Sequence, residues 1–154
     1  MRQSLSLEAR ASETSERSAR GPAGAVLLAI ALTVVFATAV VLDHVSVQSL
    51  RDHATVLYRP HAEAPSTGLL YGVLYTVAGV AALLWLAALR ATRARRGFAV
   101  ATILVAVTIN ACLATALLVS TEYGIRVFPP VWGALAALPS AAGLMAVALQ
   151  VPRR

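Results

Sequence analysis

The sequence predicts an all-α integral membrane bundle of four transmembrane helices, and three observations carry that prediction. Four uninterrupted apolar runs of about 20 residues stand out, each long enough to cross about 30 Å of hydrocarbon at 1.5 Å per residue. Hydrophobic residues fill 58% of the 154 positions and charged residues only 13%, against about 45–50% and about 25% in soluble domains. Short segments bearing arginine separate or flank the apolar runs.

Taken in order, residues 1–21 are rich in Ser, Glu and Arg with little apolar surface to bury, so they read as a disordered cytoplasmic tail. Residues 22–151 form the transmembrane domain, and its first span is 23–42. That run exceeds the 7–15 residues of a signal-peptide core, and no A-x-A-like cleavage site follows it promptly, so it reads as a retained anchor. The outer loop 43–67 carries Val47, Leu50, Ala54 and Leu57 at steps of 3, 4 and 3, the spacing of a short amphipathic helix lying on the membrane surface. Arg59-Pro60 ends it, because a residue before proline avoids the helical region, and Pro65-Ser66-Thr67 caps the next helix. The second span, 68–89, is joined to the third, 98–119, by the inner loop 90–97 with Arg90, Arg93, Arg95 and Arg96. The outer loop 120–130 holds Glu122, Arg126 and Pro129-Pro130; the fourth span is 131–150, and 152–154 form a cytoplasmic end.

Arginine placement sets the orientation. The 13 basic residues are all arginine, ten of them in the tail, the 90–97 loop and the C-terminal end, and three (Arg51, Arg59, Arg126) in the other two loops. The positive-inside rule then puts both termini in the cytoplasm, N-in/C-in, in the cell membrane. The same economy removes nucleic acid as a partner, since the basic residues flank spans rather than form a patch. Tyr71, Tyr75, Tyr123, Phe128 and Trp132 gather towards the outer boundary, and Trp85 and Phe98 towards the inner one, as expected of an aromatic belt.

Helices in lipid associate through close backbone approach and interhelical hydrogen bonds. Gly68, Gly72 and Thr76 recur at steps of four, with Gly79 three further on, and read as a packing face. Gly133, Ala137, Ser140 and Ala141 make a second small-residue stripe. Asn110, the most polar residue inside a span, reads as an interhelical clamp. Pro139 falls mid-span and should kink the fourth helix.

Candidates for chemistry are few. No Asp, Glu, Lys, Arg or His falls inside the four spans as delimited; the nearest acid is Asp43 at an outer end, which weighs against a proton-coupled or charged-substrate carrier. His44, His53, His61 and Glu63 share the outer loop and are the candidate metal ligands, but spacings of nine, eight and two residues fit no compact ligand motif. The metal expectation is therefore none, as is the cofactor expectation. Cys112, the single cysteine, reads as a small buried hydrophobe, and no nucleophile motif is present.

From the second span onward, GLLYGVLYTVAGVAALLWLAALRATRARRG and FPPVWGALAALPSAAGLMAVAL resemble a group of small four-helix membrane proteins of unknown function from high-GC actinobacteria. The resemblance implies the four-helix topology and no functional residue. The expected function is that of a non-enzymatic accessory or interaction subunit in the cell membrane, in contact with the lipid bilayer and with a second copy or another membrane protein. The alternative is a small oligomeric carrier or channel for a neutral or lipophilic solute, lined by Asn110, Thr108 and the Pro139 kink.

Overall fold

The computed structural model describes residues 2–61 and 67–150, with the side chains of 21–60 and 67–150. Within them the chain runs α1 (Arg2–Leu42), a π-helical turn (Asp43–Val47), α2 (Ser49–Tyr58), a 3₁₀ turn (Arg59–His61), α3 (Thr67–Ala91), α4 (Arg96–Val119), strands β1 (Thr121–Glu122) and β2 (Ile125–Arg126), and α5 (Pro130–Ala148). Four of the helical segments are long and apolar enough to cross a membrane: Gly21–Val47, Thr67–Ala91, Arg96–Val119 and Pro130–Ala148.

These four pack as a ring in which α1 touches α3 and α5, and α4 touches the same two. Neighbours are antiparallel. Phe36, late in α1, meets Trp132 at the start of α5, while Gly21 lies beside Leu149 at the other end. Each helix turns one stripe inward at steps of three and four, the seam of left-handed helix packing. On α1 the stripe is Val26, Ala29, Thr33, Phe36 and Val40; on α4 it is Ala99, Ile103, Ala106, Asn110, Ala114 and Leu117.

Three differences from the sequence reading concern α1 and α2. The backbone is helical from Arg2, where composition predicts a disordered tail. Once a span supplies the nucleus, each further Ala, Glu, Arg or Leu adds a backbone hydrogen bond without a new nucleation cost. The first apolar helix also continues past Leu42 through Asp43 and His44 to Val47, so an acid and a histidine do lie within it. The surface helix α2 is present and buries Leu50, Ala54 and Leu57, but Val47 belongs to the preceding turn and is 64% exposed.

Of the two expected small-residue stripes, the one on α3 is not packed against the other helices, while Gly133 of the one on α5 is. A Cβ added at Gly68, Gly72 or Gly79 would meet nothing within 4 Å, and the Thr76 hydroxyl bonds back to Gly72 O on the exposed side. That face of α3 points away from the other helices because Leu70, Leu74, Val77, Ala81 and Trp85 occupy the inward stripe. The close approaches fall on α5 instead. A Cβ at Gly143 would lie 2.2 Å from the Trp85 ring and 2.6 Å from Val107, and one at Gly133 would lie 2.4 Å from Leu118 and 3.2 Å from Ala114 O. Cys112 is likewise exposed rather than buried.

Candidate functional site

Polar side chains gather where α1 ends and α2 and α3 begin. Asp43 lies three residues beyond Val40 on the inward stripe of α1 and is only 5% exposed. The turn that follows closes with the Gln48 N–H donating to Asp43 O at 2.6 Å, and Gln48 adopts a left-handed conformation (φ 54°). One residue thereby reverses the chain and folds α2 back towards Asp43.

The carboxylate collects four donors. Oδ1 accepts from the Ser49 N–H (2.9 Å) and the Ser49 hydroxyl (2.5 Å), and Oδ2 accepts from the Leu50 N–H (3.2 Å) and the Tyr71 hydroxyl (2.7 Å). Two of these are first-turn amides of α2, which have no partner inside their own helix. Asp43 therefore caps α2 from six residues upstream and bonds it to α3. An acceptor-only group with two oxygens is suited to four donors, and that is what makes an acid tolerable at this depth.

His44 stacks on Tyr71 with ring centroids 4.1 Å apart and planes 15° from parallel, and its Nδ1 lies 3.0 Å from the Tyr75 hydroxyl. Beside it opens a cavity of about 320 Å³ lined by His44, Gln48, Arg51, Thr67 and Tyr71. Among its lining residues, Arg51 donates to Gln48 Oε1 at 3.2 Å.

The far end of α2 is tied down separately. His53 Nε2 donates to Arg126 O at 2.9 Å, the Tyr58 hydroxyl donates to Glu122, and Tyr58 meets Tyr123 edge-on. The β1–β2 hairpin presents these acceptors by turning at Tyr123-Gly124, both at positive φ, as a two-residue hairpin turn of this hand requires.

Of the candidate metal ligands, His44, before α2, and His53, in its middle, are thus committed to different partners. The His61 side chain and Glu63 lie outside the described residues. Among the described residues no group of three His, Cys, Asp or Glu is arranged to hold a metal ion.

Asn110 is 1% exposed and donates to Ala136 O (2.9 Å) and Ser140 Oγ (2.7 Å). Both acceptors belong to the turn of α5 around Pro139, whose missing N–H leaves that turn short of one backbone bond. The Ser140 hydroxyl in turn donates to Val107 O at 3.4 Å, so α4 and α5 are joined reciprocally beside Pro139. Trp85, 0% exposed, is a core ring, and its indole N–H has no partner among the described residues.

Sequence reasoning missed the Asp43 centre, although a signal was there. Asp43 continues the 26-29-33-36-40 register of the first span, which marks it as inward-facing. Comparison with protein-family models, with curated proteins and with solved structures finds no match to this chain, so the functional reading rests on this geometry.

Proposed function

We propose that the chain is a non-enzymatic integral protein of the cell membrane, with both termini cytoplasmic, that acts by association with other membrane-embedded helices as an accessory subunit or a homo-oligomer. Four apolar helices of membrane-crossing length support the first part, and the ten-to-three division of arginines supports the orientation. Under this orientation α2 and the hairpin lie on the outer surface and the Arg90–Arg96 segment inside.

The observation that carries the interaction reading is the outward face of α3. Gly68, Gly72, Thr76 and Gly79 leave open space beside the helix backbone, and lipid-embedded helices pair through such small-residue faces. Asn110 supports the same reading over that of a carrier. Both donors of its amide are consumed by Ala136 and Ser140 rather than held out to a solute.

Crosslinking in the native membrane followed by mass spectrometry tests this. Capture of a defined partner through α3 makes the chain an accessory subunit, and self-crosslinks through α3 make it a homo-oligomer. Gly72→Leu is expected to abolish either product, and Gly24→Leu, at an equally open position on α1, to leave it intact. Unchanged crosslinks in Gly72→Leu would overturn the assignment of the face. For orientation, Val56→Cys and Arg93→Cys in a Cys112→Ala background are expected to differ. An impermeant thiol reagent added to intact cells should label only the former.

A further inference from the structure

We infer that the cavity between α2 and the start of α3 is a phosphate-binding site, for a phosphate ester carried on a lipid headgroup or free in solution. It goes beyond the association reading, which concerns another face of α3.

The lining decides the sign of the ligand. Its five residues are His44, Gln48, Arg51, Thr67 and Tyr71, with no carboxylate among them. Arg51 has no acidic partner among the described residues, and the hydrogen bond of its guanidinium to Gln48 Oε1 leaves most of its donors free. Because that bond occupies Gln48 Oε1, the free end of the Gln48 amide is the NH₂ donor. His44 engages Tyr75 through Nδ1; when the Tyr75 hydroxyl donates there, the ring proton sits on Nε2, a further donor. Thr67 adds a hydroxyl at the first residue of α3, the end of a helix that favours an anion.

The neighbouring acid does not oppose this. Asp43 does not line the cavity, and both its oxygens are saturated by Ser49, Leu50 and Tyr71. A cluster rich in donors around a planar guanidinium matches the several acceptor oxygens of a phosphate. At about 320 Å³ the space lies at the small end of ligand pockets, about 300–1,000 Å³. That suits a phosphate with a glycerol-sized substituent rather than a nucleotide.

The test uses the full chain purified in an uncharged maltoside detergent. Native mass spectrometry and thermal shift are read against two probes, short-chain phosphatidylglycerol and glycerol 3-phosphate. Wild type is expected to bind at least one. Arg51→Gln should weaken that binding about tenfold or more, the loss expected of a charge-assisted contact, with its unliganded melting temperature unchanged. Arg126→Gln, a surface arginine on the same side of the molecule but outside the cavity, should bind as wild type does. If Arg51→Gln fails to fold, Thr67→Val replaces it, with a smaller loss expected. Binding of the lipid alone assigns the headgroup, and comparable binding of both probes assigns free phosphate. Binding of neither probe by wild type, or equal losses in Arg51→Gln and Arg126→Gln, would overturn the inference.

Discussion

Beneath α2 the core is filled by rings and long aliphatic chains, among them Phe36, Leu50, Leu57, Tyr71, Leu74, Phe128 and Trp132. Towards the Arg90–Arg96 loop the second core cluster holds Trp85 among alanines, chiefly Ala25, Ala29, Ala81, Ala88, Ala106, Ala142 and Ala146. The first end is built by covering: a separate helix is laid over it and fastened through Asp43 and the hairpin. The second is built by approach, with backbones drawn together on small residues until one indole fills the remaining space. Covered ends depend on hydrogen bonds and close-packed ends on volume, so different substitutions should damage each.

The largest effect is expected at the alanine end. Trp85→Ala should cost about 3–5 kcal/mol, since the surrounding alanines are too short to close the cavity. Trp85→Phe should cost under about 1.5 kcal/mol, because it keeps most of the volume and removes an unpaired buried N–H. Denaturation in detergent micelles separates the two, and a large loss in Trp85→Phe would show that the indole N–H has a partner after all. Gly143→Ala should cost about 1–3 kcal/mol by overpacking Trp85 and Val107.

At the covered end, Asp43→Ala removes two amide caps and leaves the buried Tyr71 hydroxyl without its acceptor, an expected loss of about 2–4 kcal/mol. Its signature is local. Trypsin should cut faster at Arg51, on α2, while cleavage at Arg93 keeps its wild-type rate. Uniformly faster cleavage would mean that Asp43 supports the whole ring rather than the cover.

Between the two ends, Asn110→Ala is expected to cost about 0.6–1.7 kcal/mol, the range of interhelical hydrogen bonds in lipid. The smallest effect belongs to Gly72→Ala, which meets open space. It should leave the stability of the isolated chain within about 0.5 kcal/mol of wild type, or raise it slightly through better helix propensity. A marked loss there would mean that the outward face of α3 packs against something in the isolated chain.

Four helices and a short amphipathic α2 ending before Pro60 were legible in the sequence because hydropathy and proline punctuation are local signals. Which face of each helix turns inward was less so. Gly68-x-x-x-Gly72 reads as a packing face on spacing alone, yet the stripe through Leu70, Leu74 and Trp85 outcompetes it, and only the relative rotation of the helices decides between them. Asn110 was legible as a polar group needing a partner, but not that the partner is the backbone beside Pro139. The phosphate-sized cavity was not legible at all. It depends on the left-handed Gln48, a conformation that a residue other than glycine adopts at some cost and that no neighbouring residue type announces.

Ten residues of helix at 1.5 Å each make α2 a rod of about 15 Å, bolted at one end to the carboxylate of Asp43 and at the other to the hairpin. A rod fixed at both ends carries load. A pull on the β1–β2 turn reaches the head of α3 through α2 without passing through the interior of the ring. The segment after α1 and the hairpin between α4 and α5 are thereby joined into one hydrogen-bonded cover on that side of the molecule.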